Sequence, residues 1–141
     1  YRDILDPEYL AALSDDGWIR HLRADLRKEA MIWLAFEGQQ LVGVSTCQIS
    51  GENGYQGWGE IISLYLRPTF WRQGIGRQLM QKALASLWEL ECRDVYLWVL
   101  VDNNRARGFY EKMGFQPSSD IRACRIGNCL ASKIRYVYHF H

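Results

Sequence analysis

Apolar and polar positions change period several times along this chain, and each change marks an element boundary. "MIWLAFEGQQLVGVSTCQIS" (31–50) holds two strand-like runs around a turn at Gly38, the pattern of a β-hairpin. "EIISLYLR" (60–67) is a third strand, stopped by Pro68. The period then lengthens. From Ile75 to Glu91, residues Leu79, Met80, Ala83, Leu84, Leu87 and Trp88 fall on one face of a helix. "DVYLWVLV" (94–101) is almost wholly apolar, as a strand covered on both faces would be. "NNRARGFYEKMG" (103–114) reads as a short helix with Asn at its start and Gly at its end. "IRACRIG" and "ASKIRYVYHF" pair as a final hairpin. Upstream, Pro7 to Leu13 predicts a short helix. A second, capped by Ser14, carries an apolar stripe of Trp18, Leu22 and Leu26. The alternation of strand and helix after residue 59 predicts one α/β domain over residues 1–141, built on a mixed sheet.

Composition narrows the function only a little. The 141 residues fit a single domain, and a formal net charge of +1 gives no general pull towards nucleic acid or membrane. No apolar run reaches the roughly 18 residues that span a bilayer. Cys47, Cys92, Cys124 and Cys129 form no CxxC pair and read as free thiols, which points to a reducing, cytoplasmic setting. His21, His139 and His141 do not combine with them into a ligand set, so no metal is expected.

The chemistry concentrates in "LRPTFWRQGIGRQLMQKAL" (66–84). A strand that ends at Pro68, a loop and a helix starting near Gly74 leave backbone N–H groups without intrahelical partners, a setting that favours an anion. Gly74 and Gly76 let a bulky phosphate approach the backbone, and Arg72 and Arg77 add charge. A P-loop string is lacking, and Leu79 stands where a dinucleotide fingerprint needs its third glycine. Taken alone, the loop suits a packed turn as well as a phosphate site.

A second motif, N-x-x-A-x-x-F-Y-x-x-x-G-F from Asn103, follows the next strand. Together the two stretches resemble the Gcn5-related N-acetyltransferase (GNAT) superfamily, closely over residues 59–115 and loosely elsewhere. That resemblance implies a central, mostly antiparallel mixed sheet flanked by helices on both faces, and transfer of an acetyl group from acetyl-CoA to an amine in a ternary complex. It implies Leu64, Tyr65 and Leu66 along the pantetheine arm, the 72–77 loop (Arg72, Gln73, Gly74, Ile75, Gly76, Arg77) around the pyrophosphate, and Asn103 at the cofactor. Tyr110 matches the residue that protonates the departing thiolate. Glu60 matches the general base of histone-type members, and its strand parity with Ile62, Leu64 and Leu66 predicts a common side. Trp71 departs from the family's Arg or Gln. A non-catalytic acyl-CoA-binding module is the alternative.

The acceptor is expected to be a small-molecule or peptide amine, with Trp18, Tyr55, Trp58, Trp71 and Tyr136 as candidates for an aromatic slot. The family's first strand is expected to be missing before "YRDIL", which predicts an exposed sheet edge or a homodimer that covers it.

Overall fold

The computed structural model describes residues 21–27 and 30–141. One seven-stranded sheet runs β1-β2-β3-β4-β5-β7-β6. Its strands are β1 (His21–Arg27), β2 (Ala30–Glu37), β3 (Gln40–Ile49), β4 (Gly59–Leu66), β5 (Asp94–Leu100), β6 (Gln116–Ile126) and β7 (Cys129–His139). Helix α1 (Ile75–Glu89) connects β4 to β5, and α2 (Asn104–Lys112) connects β5 to β6. A 3-10 turn at Pro68–Phe70 precedes α1. All neighbours are antiparallel except β4 and β5, which are joined by the α1 crossover.

The order agrees with the mixed, mostly antiparallel sheet expected from sequence, with one correction at its start. Leu22 and Leu26 belong to β1, paired with Ala35 and Met31, and not to a helix. Spacing of four is compatible with both periods, because positions i and i+4 share a face in a strand as well as in a helix. β1 fills the edge beside β2 that was expected to be open. The predicted helix over residues 7–13, Ser14 and Trp18 lie outside the described residues.

Both described helices serve one apolar face. From α1, Ile75, Leu79, Met80, Ala83, Leu84 and Leu87 are buried against Cys47, Ile61, Val95 and Leu97 of the central strands and against Ala35 and Val42 further along the sheet. Burying each large side chain there is worth about 1.5–3 kcal/mol. On the other face, Ile32, Leu34, Phe36 and Val44 form a second buried cluster.

Two features of β4 shape the site. Its pairing with β5 covers only Gly59–Val95, Glu60–Tyr96 and Ile61–Leu97. Beyond Ile61 the two strands no longer pair. At the same place the register with β3 shifts: Ile61 faces Cys47 and Ser63 faces Thr46, leaving Ile62 as an extra residue. This bulge breaks the alternation of side chains.

The close approach of β3, β4 and α1 depends on Gly43. A Cβ there would lie 2.9 Å from both Leu66 Cδ1 and Leu79 Cδ1 and 3.0 Å from the Tyr65 carbonyl oxygen. Gly43→Val is expected to lower the unfolding free energy by about 1–3 kcal/mol, the usual cost of overpacking, read as a lower urea midpoint. An unchanged midpoint would mean that β4 can move away freely.

Candidate active site

Where β4 leaves β5, a cavity of about 760 Å³ opens on the helix face. Its walls are the end of β4 (Leu64, Tyr65, Leu66), the loop into α1 (Trp71, Arg72, Gly74, Gly76, Arg77) and α2 with the residue before it (Asn103, Arg105, Phe109, Tyr110). The two motifs thus meet across one cavity, although a whole strand separates them in sequence.

The loop is built for close backbone approach. Arg72 and Gly74 both adopt left-handed conformations, with φ of 68° and 84°. For a non-glycine residue such as Arg72 this costs roughly 1–2 kcal/mol. Alternation into this region turns backbone N–H groups towards a common concavity. Gly74 is the N-cap of α1 and supplies no side-chain cap, and the first turn contains no acid. The N–H groups at the start of α1 are therefore left for an external anion, favoured by the helix dipole. Arg72 and Arg77 line the cavity, whereas two other predicted loop residues do not. Gln73 donates to the Thr69 carbonyl at 3.3 Å, and Ile75 is buried in the core. Ile75 can therefore offer only its backbone.

Trp71 sits at the same mouth. Its indole N–H donates to the Leu66 carbonyl at 3.0 Å, and the Arg105 guanidinium stacks 4.0 Å from its ring centroid. The position that departs from the family pattern thus ties the loop to both β4 and α2. On the other wall, Asn103 caps α2 by accepting from the Ala106 N–H at 3.2 Å, which leaves its side-chain NH2 free of that bond. Tyr110 packs edge-on against Phe109, with centroids 5.6 Å apart. Burial pushes its phenol above the ordinary value near 10, so it stays protonated at neutral pH. Among the described residues its hydroxyl has no hydrogen-bond partner.

Glu60 is elsewhere. It does not line this cavity and lies beside Tyr96 on the opposite face of the sheet. The bulge at Ile62 breaks the parity expected between Glu60 and Leu64: Ile61, Leu64 and Leu66 point to the helix face, and Glu60, Ser63 and Tyr65 to the other. The aromatic slot also divides. Tyr136 is buried on the helix face, where its hydroxyl accepts from Arg107 Nε at 2.8 Å and donates to Glu111 at 2.7 Å. Tyr55 and Trp58 group with Tyr96 on the Glu60 side, at 5.0 and 6.2 Å between centroids.

That second face has its own centre in Arg135, which is completely buried. Its Nη2 reaches Glu52 at 2.6 Å and Asp120 at 2.8 Å, and its Nε donates to Asp120 at 3.0 Å. Tyr55, Tyr96 and Trp98 surround the guanidinium at 3.9–4.5 Å, giving cation–π contacts around a group whose Nη1 is unpaired among the described residues. Glu52 and Tyr55 belong to the loop 50–58, which Arg135 therefore fastens to the sheet. Nothing in the local sequence pairs Glu52 with a residue 83 positions away.

Comparison with known proteins settles the kinship. The Acetyltransferase (GNAT) family model matches residues 1–115. The chain belongs to this family. It is 36% identical over 101 residues to mycothiol acetyltransferase of Geodermatophilus obscurus, covering 64% of this chain and 33% of that protein. It is 31% identical over 85 residues to N-alpha-acetyltransferase 30 of Homo sapiens, covering 60% of this chain and 24% of that protein. The chain thus spans a third or less of the length of these two relatives. In fold, this GNAT chain resembles the PaiA N-acetyltransferase of Thermoplasma acidophilum in complex with coenzyme A. The TM-score is 0.65 at 21% identity, over 79% of this chain and 62% of that one.

The Glu52–Arg135 pair carries a pH dependence. Hydrogen bonding from Arg135, with a lesser share from Arg122, holds the Glu52 carboxyl below the usual glutamate value near 4.3. Its contribution to stability is complete above that value and is lost as pH falls through the lower folded value. Glu52→Gln is therefore expected to lower the urea midpoint at pH 7 and to approach the parent chain as pH drops below about 4. A gap of constant size would show that the carboxylate charge adds nothing.

Proposed function

We propose that this GNAT domain moves an acetyl group from acetyl-CoA to a primary amine, with both substrates bound together. The observation that carries this reading is the meeting of the left-handed loop, the uncapped start of α1 and Tyr110 around one cavity at the β4–β5 gap. The residues present fit a thioester with a diphosphate. A Cβ at Gly74 would enter open space, so the room beside that backbone is free for a ligand. Arg72 and Arg77 offer charge, and β4 from Leu64 to Leu66 has no partner on the β5 side.

Bound there, acetyl-CoA would supply an acetyl thioester whose C–S bond breaks as the new C–N bond forms, coenzyme A leaving as the thiol. The chain's own groups handle the protons. Glu60 receives the one that the amine gives up on forming the new C–N bond. Tyr110 gives one to the departing sulfur, for which a phenol kept neutral by burial is suited. These two residues lie on opposite faces of the sheet, so donor and acceptor would meet through the gap between β4 and β5. Kinship with N-alpha-acetyltransferase 30 supports a peptide α-amine as acceptor, and kinship with mycothiol acetyltransferase a small molecule.

Calorimetric titration with acetyl-CoA tests the cradle. Saturable binding is expected, weakened at least tenfold (about 1.4 kcal/mol) by Gly74→Val. Turnover is then read with three acceptors: a lysine-free hexapeptide with a free α-amine, glucosamine and 1,4-diaminobutane. Tyr110→Phe should lower kcat by about 10²-fold while leaving acetyl-CoA affinity unchanged. Binding without turnover of any acceptor would favour a sensing module.

A further inference from the structure

The second face contains a chain of hydrogen bonds that ends on Glu60. Ser50 Oγ accepts from the Glu52 backbone N–H at 3.1 Å. Ser50 Oγ lies 2.8 Å from the Tyr96 hydroxyl, which in turn lies 3.3 Å from Glu60 Oε1. The polarity of this chain follows from the groups themselves. An ionised carboxylate only accepts, so the proton between Tyr96 and Glu60 belongs to Tyr96. Tyr96 has a single proton, so the hydrogen bond with Ser50 must be donated by Ser50. Every donor therefore points towards Glu60.

We infer that Tyr96 is a positioning residue for the proton acceptor of the reaction, holding one oxygen of Glu60 so that the other is presented to the incoming amine. This rests on the reading that Glu60 receives the amine's proton.

Tyr96 is well placed to do this. It is buried to 1% exposure in the middle of the sheet, packed by Tyr55 and Trp58 of the loop. The charged groups around it are Glu60 from β4, Glu52 from the loop and Arg135 from β7, with Asp120 of β6 held on that same guanidinium. Burial, reinforced by the two glutamates, raises the phenol above its ordinary value, so it remains a donor throughout the working range. Arg135 acts at one remove. By fastening Glu52 it fixes the loop that carries Ser50, so the register of the chain depends on a buried ion pair. The link to Glu60 is the longer one, which leaves the carboxylate room to shift onto an acceptor.

The test compares Tyr96→Phe, Ser50→Ala and Glu60→Gln with the parent chain, using acetyl-CoA and whichever of the hexapeptide, glucosamine and 1,4-diaminobutane is turned over. Tyr96→Phe should lower kcat about tenfold at pH 7 and leave unchanged both the KM for acetyl-CoA and its calorimetric affinity. The deficit should close as pH rises towards the amine's own pKa, where the acceptor is neutral without help. Ser50→Ala should act in the same direction and less strongly. It decides the matter if Tyr96→Phe does not fold. A loss of equal size at every pH, or no loss, would overturn the inference. Activity lost in Glu60→Gln but kept in the other two would overturn the Tyr96 role alone. Full activity in Glu60→Gln, or no turnover of any acceptor, would remove the underlying reading and this inference with it.

Discussion

Parallel pairing between β4 and β5 lasts for three residue pairs and then stops. Sheet twist and the α1 crossover bring these strands together at one end, and nothing reunites them at the other. The separation leaves the backbone of Leu64–Leu66 without a β5 partner and opens the cavity beside it. Unpaired strand backbone is normally a liability, because its N–H and C=O groups seek a partner. Here the loop before α1 and the start of α2 surround it. Ile62 adds the second constraint: one extra residue reverses the facing of everything that follows. It separates Glu60 from Leu64 and Leu66 by the thickness of the sheet.

Each face is then stabilised in a different way. On the helix side α1 and α2 are held largely by apolar burial, with polar links where Trp33 donates to Ser86 and where Tyr136 joins Arg107 and Glu111. On the other side a fully buried guanidinium carries the organisation. Removing a charge from water costs several kcal/mol, and Arg135 offsets that with two carboxylates and three aromatic faces. An interaction of this kind contributes less to net stability than to specifying one arrangement. It fixes where loop 50–58 lies over β5 and β7. The irregular register of β6 between Pro117 and Ile121 belongs to the same arrangement, since it brings Asp120 to Arg135.

The cavity also explains why two modest motifs are informative together. A glycine loop before a helix serves equally as a tight turn, and an Asn before a helix is an ordinary cap. Asn103 does cap α2. Their convergence on one cavity, which Tyr110 also lines, is what distinguishes this site from two separate helix starts. Trp71 adds a local variation, joining strand, loop and second helix through one indole.

Sequence alone determined the elements whose causes are local. Strand alternation, the apolar stripe of α1, the Gly114 stop and the glycine loop all depend on residues within a turn or two of one another. Family kinship was legible for the same reason, because both motifs are short strings at strand-to-helix junctions. The early segment misled because Leu22 and Leu26 satisfy either period, and pairing with β2 decided between them. The side on which Glu60 stands was also beyond reach, since a bulge is a property of two strands in register and leaves no mark in one of them. Only tertiary structure could bring Ser50, Glu52, Tyr96 and Arg135 together, as their partners lie 46 and 83 positions apart. Periodicity reports which face a residue seeks, whereas the identity of its neighbour is set by the way the sheet closes.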